Sequence, residues 1–377
     1  MNMPRRLLIY QALLATGIAA LAWLLFSITQ ENLARLGVES NFNFLFRRAG
    51  FEIGQTLIPF GAGDSILRAF VVAVLNTIVL ALAAIVCASV LGLALGLARL
   101  SGNWLLARMA LVYVEIFRNV PALLQIFFWY FVVLRTLPRS AHSIVLRDAV
   151  VLNNRGLFLP GPAGHLDLLV IVAALMAAIG VCWAVGRRAA RRRHETGGRF
   201  PVALATLLLL PGLPLLAAWG AGVQWEFPQA GRFGYGGGIV LLPEFLALVC
   251  GLSMYNATYI SEIVRSSFSA LPRGQSEAAE SLGLSRHLAV RLILLPQALR
   301  IMIPPLTTVY LNLFKSTSLA AAIAYPEVAS VFVGTVNNLV GQPVTIMALT
   351  LVTYAFVSLS IALYLNWYQR RLAARGT

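Results

Sequence analysis

Charge is what this sequence has least of. Only 11% of its 377 residues are charged against 59% hydrophobic, and the mean hydropathy is +0.81. A soluble domain cannot cover itself with so little polar surface, so a water-soluble globular fold is excluded. Acidic residues number 14 against 29 basic ones, and among the basic residues Lys315 is the single lysine. In a soluble chain a net charge of +15 would point to nucleic acid. Here it is read from where the arginines fall between apolar runs, and no nucleic-acid partner is expected. Three cysteines, Cys87, Cys182 and Cys250, stand singly in apolar runs without ligand spacing, so neither a disulfide framework nor a thiolate metal site is indicated. The histidines His142, His165, His194 and His287 are scattered over loops, and no serine or cysteine stands in a nucleophile context. No catalytic or metal-ligating residue is therefore assigned. A phosphate-binding G-x4-G-K-[ST] loop is also missing, since Lys315 follows Phe314 rather than glycine, so the chain has no ATP site of that kind and binds no cofactor of its own.

What is present is long apolar runs. A helix needs about 20 apolar residues to cross the hydrocarbon core, and eight runs qualify. They lie near Leu7 to Ile28, Ala69 to Ala98, Met109 to Leu134, Leu166 to Gly186, Pro201 to Gly220, Pro243 to Phe268, Gln297 to Lys315 with a continuation toward Ala324, and Pro343 to Tyr368. The expected fold is an all-α polytopic membrane protein with about eight transmembrane helices. Four stretches are expected: residues 1–68, an anchor span and outer segment; 69–135, the first part of the core; 136–240, outer loops and two inserted spans; and 241–377, the second part of the core, with a polar loop at 269–296. The first run exceeds the usual 7 to 15 residues of a signal-peptide core and reads as a retained anchor. In the segment after it, Phe42, Leu45, Phe46, Ala49 and Ile53 fall at helical spacing, which predicts either a helix lying along the outer membrane surface or a packed loop.

Threading the runs with the N-terminus inside places Arg5, Arg6, Arg99, Arg108, the cluster from Arg187 to Arg199, and Arg370, Arg371 and Arg375 on one side, as the positive-inside rule requires. Both termini are then cytoplasmic, and so is the polar loop 269–296. That loop holds Glu277-Ala278-Ala279, three residues, Gly283, nine residues, then Ile293-Leu294-Leu295-Pro296, filling the pattern EAA-x3-G-x9-I-x-L-P. Ser276 can cap a short helix there, Glu277 and Glu280 favour its positive end, and Gly283 can take the left-handed conformation that stops it. Ala278 and Ala279 leave a flank thin enough to enter a partner's groove.

Other polar residues interrupt the spans. Glu115 and Arg118 are three apart and can neutralise each other, either as a structural ion pair or in contact with substrate, and Pro121 permits a bend. Tyr255, Tyr259 and Glu262 form one stripe with Asn256 beside it, facing a wet cavity or a neighbouring helix, and Arg265 can pair with Glu262. Lys315 sits before Ser316, Thr317 and Ser318. It can receive a carboxylate on a substrate pathway formed with Tyr255, Asn256 and Tyr259, or snorkel to the interface. Gly92-x3-Gly96 matches the small-residue motif of close helix contact, and Pro326-Glu327 marks a break before the last span, consistent with a re-entrant or gating segment.

The EAA pattern, together with Asn76-Thr77, the segment Tyr113 to Pro121, Glu262 to Arg265, and Lys315 to Leu319, resembles permeases of the polar amino acid branch of ATP-binding-cassette importers. The extra N-terminal span, the segment Gly50 to Asp64, Asn153-Asn154-Arg155-Gly156-Leu157-Phe158-Leu159-Pro160 and the two inserted spans resemble the Q-type subunit of broad-specificity L-amino acid importers. Ser316 departs from the pattern, where relatives often carry Asp or Asn.

The resemblance implies a type I ABC importer permease fold in the bacterial inner membrane. It implies alternating access powered by two copies of an ABC ATPase subunit, which bind ATP and Mg. It further implies a second homologous permease subunit, a periplasmic amino acid binding protein, and lipid around the spans. It makes Glu277, Ala278, Ala279, Gly283, Ile293, Leu295 and Pro296 the ATPase-coupling residues. A permease for another small polar solute is the alternative. A secondary transporter would need carboxylates deeper in the membrane than Glu115 and Glu262, and a membrane enzyme would need a catalytic set.

Overall fold

The computed structural model describes residues 5–35, 41–196, 201–231 and 234–373. Arg199 and Arg375 of the expected inner clusters lie outside these residues. The body is helical: α1 (Arg5–Arg35), α2 (Ile66–Arg99), α3 (Trp104–Asn119), α4 (Ala122–Leu134), α5 (His165–Thr196), α6 (Val202–Gly220), α7 (Pro243–Ser269), α8 (Arg273–Ser281), α9 (Arg286–Ile323), α10 (Ser330–Val340) and α11 (Pro343–Ala373).

Among the described residues five helices, containing Ile9–Thr29, Ile66–Arg99, Leu166–Ala189, Arg286–Ile323 and Pro343–Gln369, are long and apolar enough to cross a membrane, and the bent pair α3 and α4, taken as one span, gives a sixth. The two remaining apolar runs are also helices. α6 carries Pro211 and Pro214 inside it. α7 has 27 residues, its apolarity diluted by Tyr255, Asn256, Tyr259, Glu262 and Arg265. The third run is not one straight helix: α3 and α4 are bent by 102° across Val120-Pro121. Pro121 has no N–H to continue the ladder, and the Gln125 side-chain amide donates to the freed carbonyls of Phe117 and Val120 at 2.8 and 3.0 Å.

The centre of the body is the α2–α7 pair. Ser65 caps α2 by accepting from the Arg68 N–H at 3.2 Å. In lipid there is no hydrophobic drive between helices, so backbone proximity has to supply the attraction. Gly92 and Gly96 provide it: a Cβ at Gly92 would fall 2.6 Å from Ile260 Cβ, and one at Gly96 would fall 2.5 Å from Val264 Cβ. On the far side of α7, Gly251 lies against α4, where a Cβ would meet the Ile126 backbone nitrogen at 3.0 Å. Leu80, Ala84, Leu248, Leu252 and Ile260 fill the shared core.

At the end opposite α8, residues 41–65 do not form an amphipathic helix. One 3-10 turn, Asn43–Phe46, is followed by irregular chain that doubles back, with the Ala49 N–H donating to the Asp64 carbonyl at 2.7 Å and Gly50 to Ala62 at 3.0 Å. Five glycines and prolines between Gly50 and Gly63 deny the segment a helix, and Phe44, rather than Phe42 or Phe46, enters the core beside Phe332 and Ile346.

Among the described residues eight short strands, which the apolar runs do not foretell, form a cap on this same end. β1 (Ile144–Leu146), β2 (Val150–Asn153), β3 (Gly156–Leu159) and β4 (Gly161–Pro162) come from the loop after α4, and β5 (Trp225–Glu226), β6 (Gln229–Gly231), β7 (Gly234–Gly236) and β8 (Ile239–Leu241) from the loop before α7. The sheet β1-β2-β3-β8 and the pair β4-β5 join the two loops, so the ends of α4, α5, α6 and α7 that enter the cap lie on one side. α5 and α6 pack along each other and α5 touches β4.

Replacing Gly96 with Val is expected to force α2 away from Val264, lowering stability by about 1–3 kcal/mol. Thermal unfolding in detergent measures it, and an unchanged midpoint would contradict the close-contact account.

Candidate functional site

The EAA segment folds as α8, a loop and the start of α9. Its helix begins a turn earlier than Ser276 predicts: Pro272 occupies the N-cap, and the Ser276 hydroxyl donates to the Arg273 carbonyl at 2.7 Å. Proline fixes its own φ and lacks an N–H, so it sets the boundary more firmly than an interior serine. The far end is as expected. Gly283 has φ +70°, the Leu284 N–H donates to the Ala279 carbonyl at 3.1 Å, and the Gly283 N–H donates to Glu280 at 2.9 Å. This is the Schellman arrangement that ends a helix on glycine.

The two alanines part company. Ala279 is 0% exposed and faces the protein with Ala289, whereas Glu277 and Ala278 face outward with Leu282, which is 77% exposed. Only Ala278 of the pair can present a thin flank to a partner. Ile293 and Leu295 are half-buried and Pro296 is exposed. Pro296 offers no N–H to the Leu292 carbonyl, and the helix widens into π turns over Val290–Leu294. The Gln297 side-chain amide donates to Gln275 Oε1 at 3.3 Å, tying α9 to α8. Between α8, α9 and the ends of α2 and α7 lies a cavity of about 650 Å³, with Leu97, Phe268, Glu280 and Arg286 on its walls.

Beside that cavity Glu262 holds two arginines. Arg265, three residues on, donates to Glu262 Oε1, as its spacing predicts. Arg99 at the end of α2 donates to Oε2 at 2.7 Å, a partner 163 positions away that periodicity could not reveal. The pair is thus a clamp between α2 and α7 at the end that carries α8.

Farther along, the Tyr255 and Tyr259 hydroxyls are 2.8 Å apart, with their rings edge to face. Asn256 leaves that face: it is buried, and its amide donates to the Leu252 carbonyl at 2.7 Å. Glu115 and Arg118 pair at 3.1 Å on the exposed side of α3. Lys315 is exposed, with no acidic partner among the described residues. Ser316, Thr317 and Ser318 turn their hydroxyls onto the carbonyls of Asn312, Phe314 and Lys315 at 2.9, 2.7 and 2.9 Å. Of the candidate pathway, Asn256 and Thr317 are buried, Tyr255, Ser316 and Ser318 are half-buried, and Tyr259 and Lys315 are exposed. α9 runs on to Ile323 and stops at Ala324, in the left-handed region with φ +58°.

Glu327, expected from the sequence at a break consistent with a re-entrant or gating segment, is the fully buried carboxyl among the described residues. It is 0% exposed, and it accepts from the N–H groups of Ala329 at 2.9 Å and Ser330 at 2.8 Å and from the Tyr354 hydroxyl. It caps the helical turn leading into α10, a role usually filled by shorter Asp, Asn, Ser or Thr side chains. Around it, Thr77 Oγ1 accepts from the Val328 N–H at 3.2 Å, and the Asn76 amide donates to Pro326 and Gln55 carbonyls at 2.9 and 2.8 Å. Asn76-Thr77 is the one signal that could have pointed here.

Glu327→Ala strands three donors in a dry site and is expected to cost on the order of 3 kcal/mol. Thermal unfolding in detergent reads the loss, and a midpoint matching the parent protein would contradict this role.

The geometry can be set beside known proteins. Residues 199–375 match the family model described as binding-protein-dependent transport system inner membrane component. Over 99% of this chain and 95% of the relative, the sequence is 44% identical to an Escherichia coli K12 protein named as amino-acid ABC transporter permease YhdX. It is 42% identical to the general L-amino acid transport system permease AapQ of Rhizobium johnstonii, over 98% of this chain and 92% of the relative. It is 35% identical to the glutamate/glutamine/aspartate/asparagine transport system permease BztB of Rhodobacter capsulatus, over 98% and 93%. The chain is therefore a multi-pass membrane protein that belongs to the amino-acid ABC transporter permease family.

Proposed function

We propose that this permease carries L-amino acids from periplasm to cytoplasm by alternating access, and that α8 is where ATP-driven motion enters. Two ATPase subunits binding ATP and Mg would grip Glu277, Ala278 and the exposed Leu282. A second homologous permease would complete the pathway, and a periplasmic binding protein would deliver solute at the strand-capped end. The chain itself carries out no hydrolysis. The termini and α8 lie in the cytoplasm, in keeping with the arginines at the ends of α2, α3 and α5.

The observation that carries this reading is the construction of the knuckle. α8 is nine residues long, closed by Gly283 at one end, with Ala279 seated inward and Leu282 held out. A short rigid helix on a fixed stop transmits a push to α9 and, through the neighbouring Glu262 clamp, to α2 and α7. The names of the relatives support amino acids as the substrate class.

Gly283→Val tests the reading. No heavy atom lies within 4 Å of a Cβ built there, so the penalty is confined to the backbone at φ +70°. The variant is expected to keep its melting behaviour and its ATPase partner while solute uptake in reconstituted vesicles falls at least tenfold per ATP hydrolysed. Coupled uptake at the parent rate would refute the lever. A competition panel of free amino acids against radiolabelled glutamate identifies the solutes, and uptake insensitive to every amino acid would refute the substrate class.

A further inference from the structure

A second, smaller cavity opens beside the Glu262 clamp. It measures about 320 Å³ and is lined by Arg99, Trp104, Ala107, Arg108, Leu111 and Arg265. Three of its lining residues are arginines, and two of them, Arg99 and Arg265, share the carboxylate of Glu262. Arg108 has no hydrogen-bond or ion-pair partner among the described residues. The lining therefore holds a surplus of two positive charges in a concave site, the electrostatic complement of an anion. Guanidinium groups match phosphate oxygens in forked geometry. The first turn of α3, capped by Asn103 accepting from the Leu106 N–H at 3.2 Å, adds the positive end of a 16-residue helix.

We propose that this cavity binds a phosphate-bearing anion, the headgroup of an acidic phospholipid from the adjoining leaflet. Two features select a lipid over a soluble phosphate. Trp104 is 75% exposed at the mouth of the cavity, the position that indole rings take at a membrane interface. On the neighbouring face of α3, Leu105, Met109, Val112 and Ile116 form an exposed apolar stripe along which acyl chains can lie beside the headgroup, while the Glu115–Arg118 pair stands farther along α3 in line with the cavity. The site joins the ends of α2, α3 and α7, so a bound headgroup bridges the helix that holds Glu262 and the two that flank it.

Native mass spectrometry of the full-length chain, delipidated and titrated with phosphatidylglycerol or phosphatidylcholine, tests the assignment. One phosphatidylglycerol is expected to bind at least tenfold more tightly than phosphatidylcholine. Arg108→Ala should lose that preference, while Arg188→Ala, which removes an equal charge from the exposed surface of α5, should keep it. A melting curve of the Arg108 variant matching the parent protein shows that the fold is kept. If both variants lose the preference equally, the attraction is diffuse surface charge and the site is refuted. An Arg108→Ala chain that still prefers phosphatidylglycerol refutes it as well. Displacement of the bound phosphatidylglycerol by millimolar inorganic phosphate would make this a soluble-phosphate site and overturn the lipid assignment.

Discussion

The fold hangs on how closely α2 and α7 approach. Gly92 and Gly96 let Ile260 and Val264 rest directly on the α2 backbone, and Gly251 admits the Ile126 backbone on the opposite face of α7. With lipid on the outside as apolar as the side chains themselves, such contact is the main source of helix adhesion. It also sets the distance across which the polar ends of α2 can work. At one end Arg99 reaches Glu262 on α7, and toward the other Asn76 and Thr77 hold the chain around Pro326 to Val328. α2 is thus a spine with a polar clasp toward each end; α7, α9 and the outer segment are fastened to it, and α4 is fastened to α7.

The two clasps solve one problem differently. A carboxyl removed from water needs replacement partners. Glu262, near the end of its helix and still partly exposed, takes charged partners and keeps contact with solvent. Glu327, fully enclosed, takes backbone N–H groups and a tyrosine hydroxyl, which bring no competing charge. The first arrangement suits a place where neighbouring surfaces must shift against one another. The second suits a place that must stay put.

Composition and run length make the helical body legible, because apolar length is the requirement a membrane imposes. The stop of α8 is legible too, since Gly283 stands where a left-handed residue is needed. Its start is not, because an interior serine competes with a proline four residues earlier. The bend after α3 shows in Pro121, but the Gln125 amide that makes it tolerable does not. Residues 41–65 carry apolar spacing that imitates a helix, while their glycines and prolines decide otherwise. The strands of the cap are two to four residues long, too short for any alternation to register, and the two pairings that close it, β3 with β8 and β4 with β5, join separate loops distant in the chain. Arg99 and Tyr354 are invisible as partners for the same reason: they meet their carboxyls only once the chain has folded.

The cap has a consequence for how this chain is assembled. Because β3 pairs with β8 and β4 with β5, the chain leaving the body after α4 and the chain returning to it before α7 are stitched together at the base of the α5–α6 hairpin. The helical hairpin is therefore an appendix on a closed stem. Its excision would leave the stem's own pairing intact, and the machine in the middle can rock without dragging an outrigger through the bilayer.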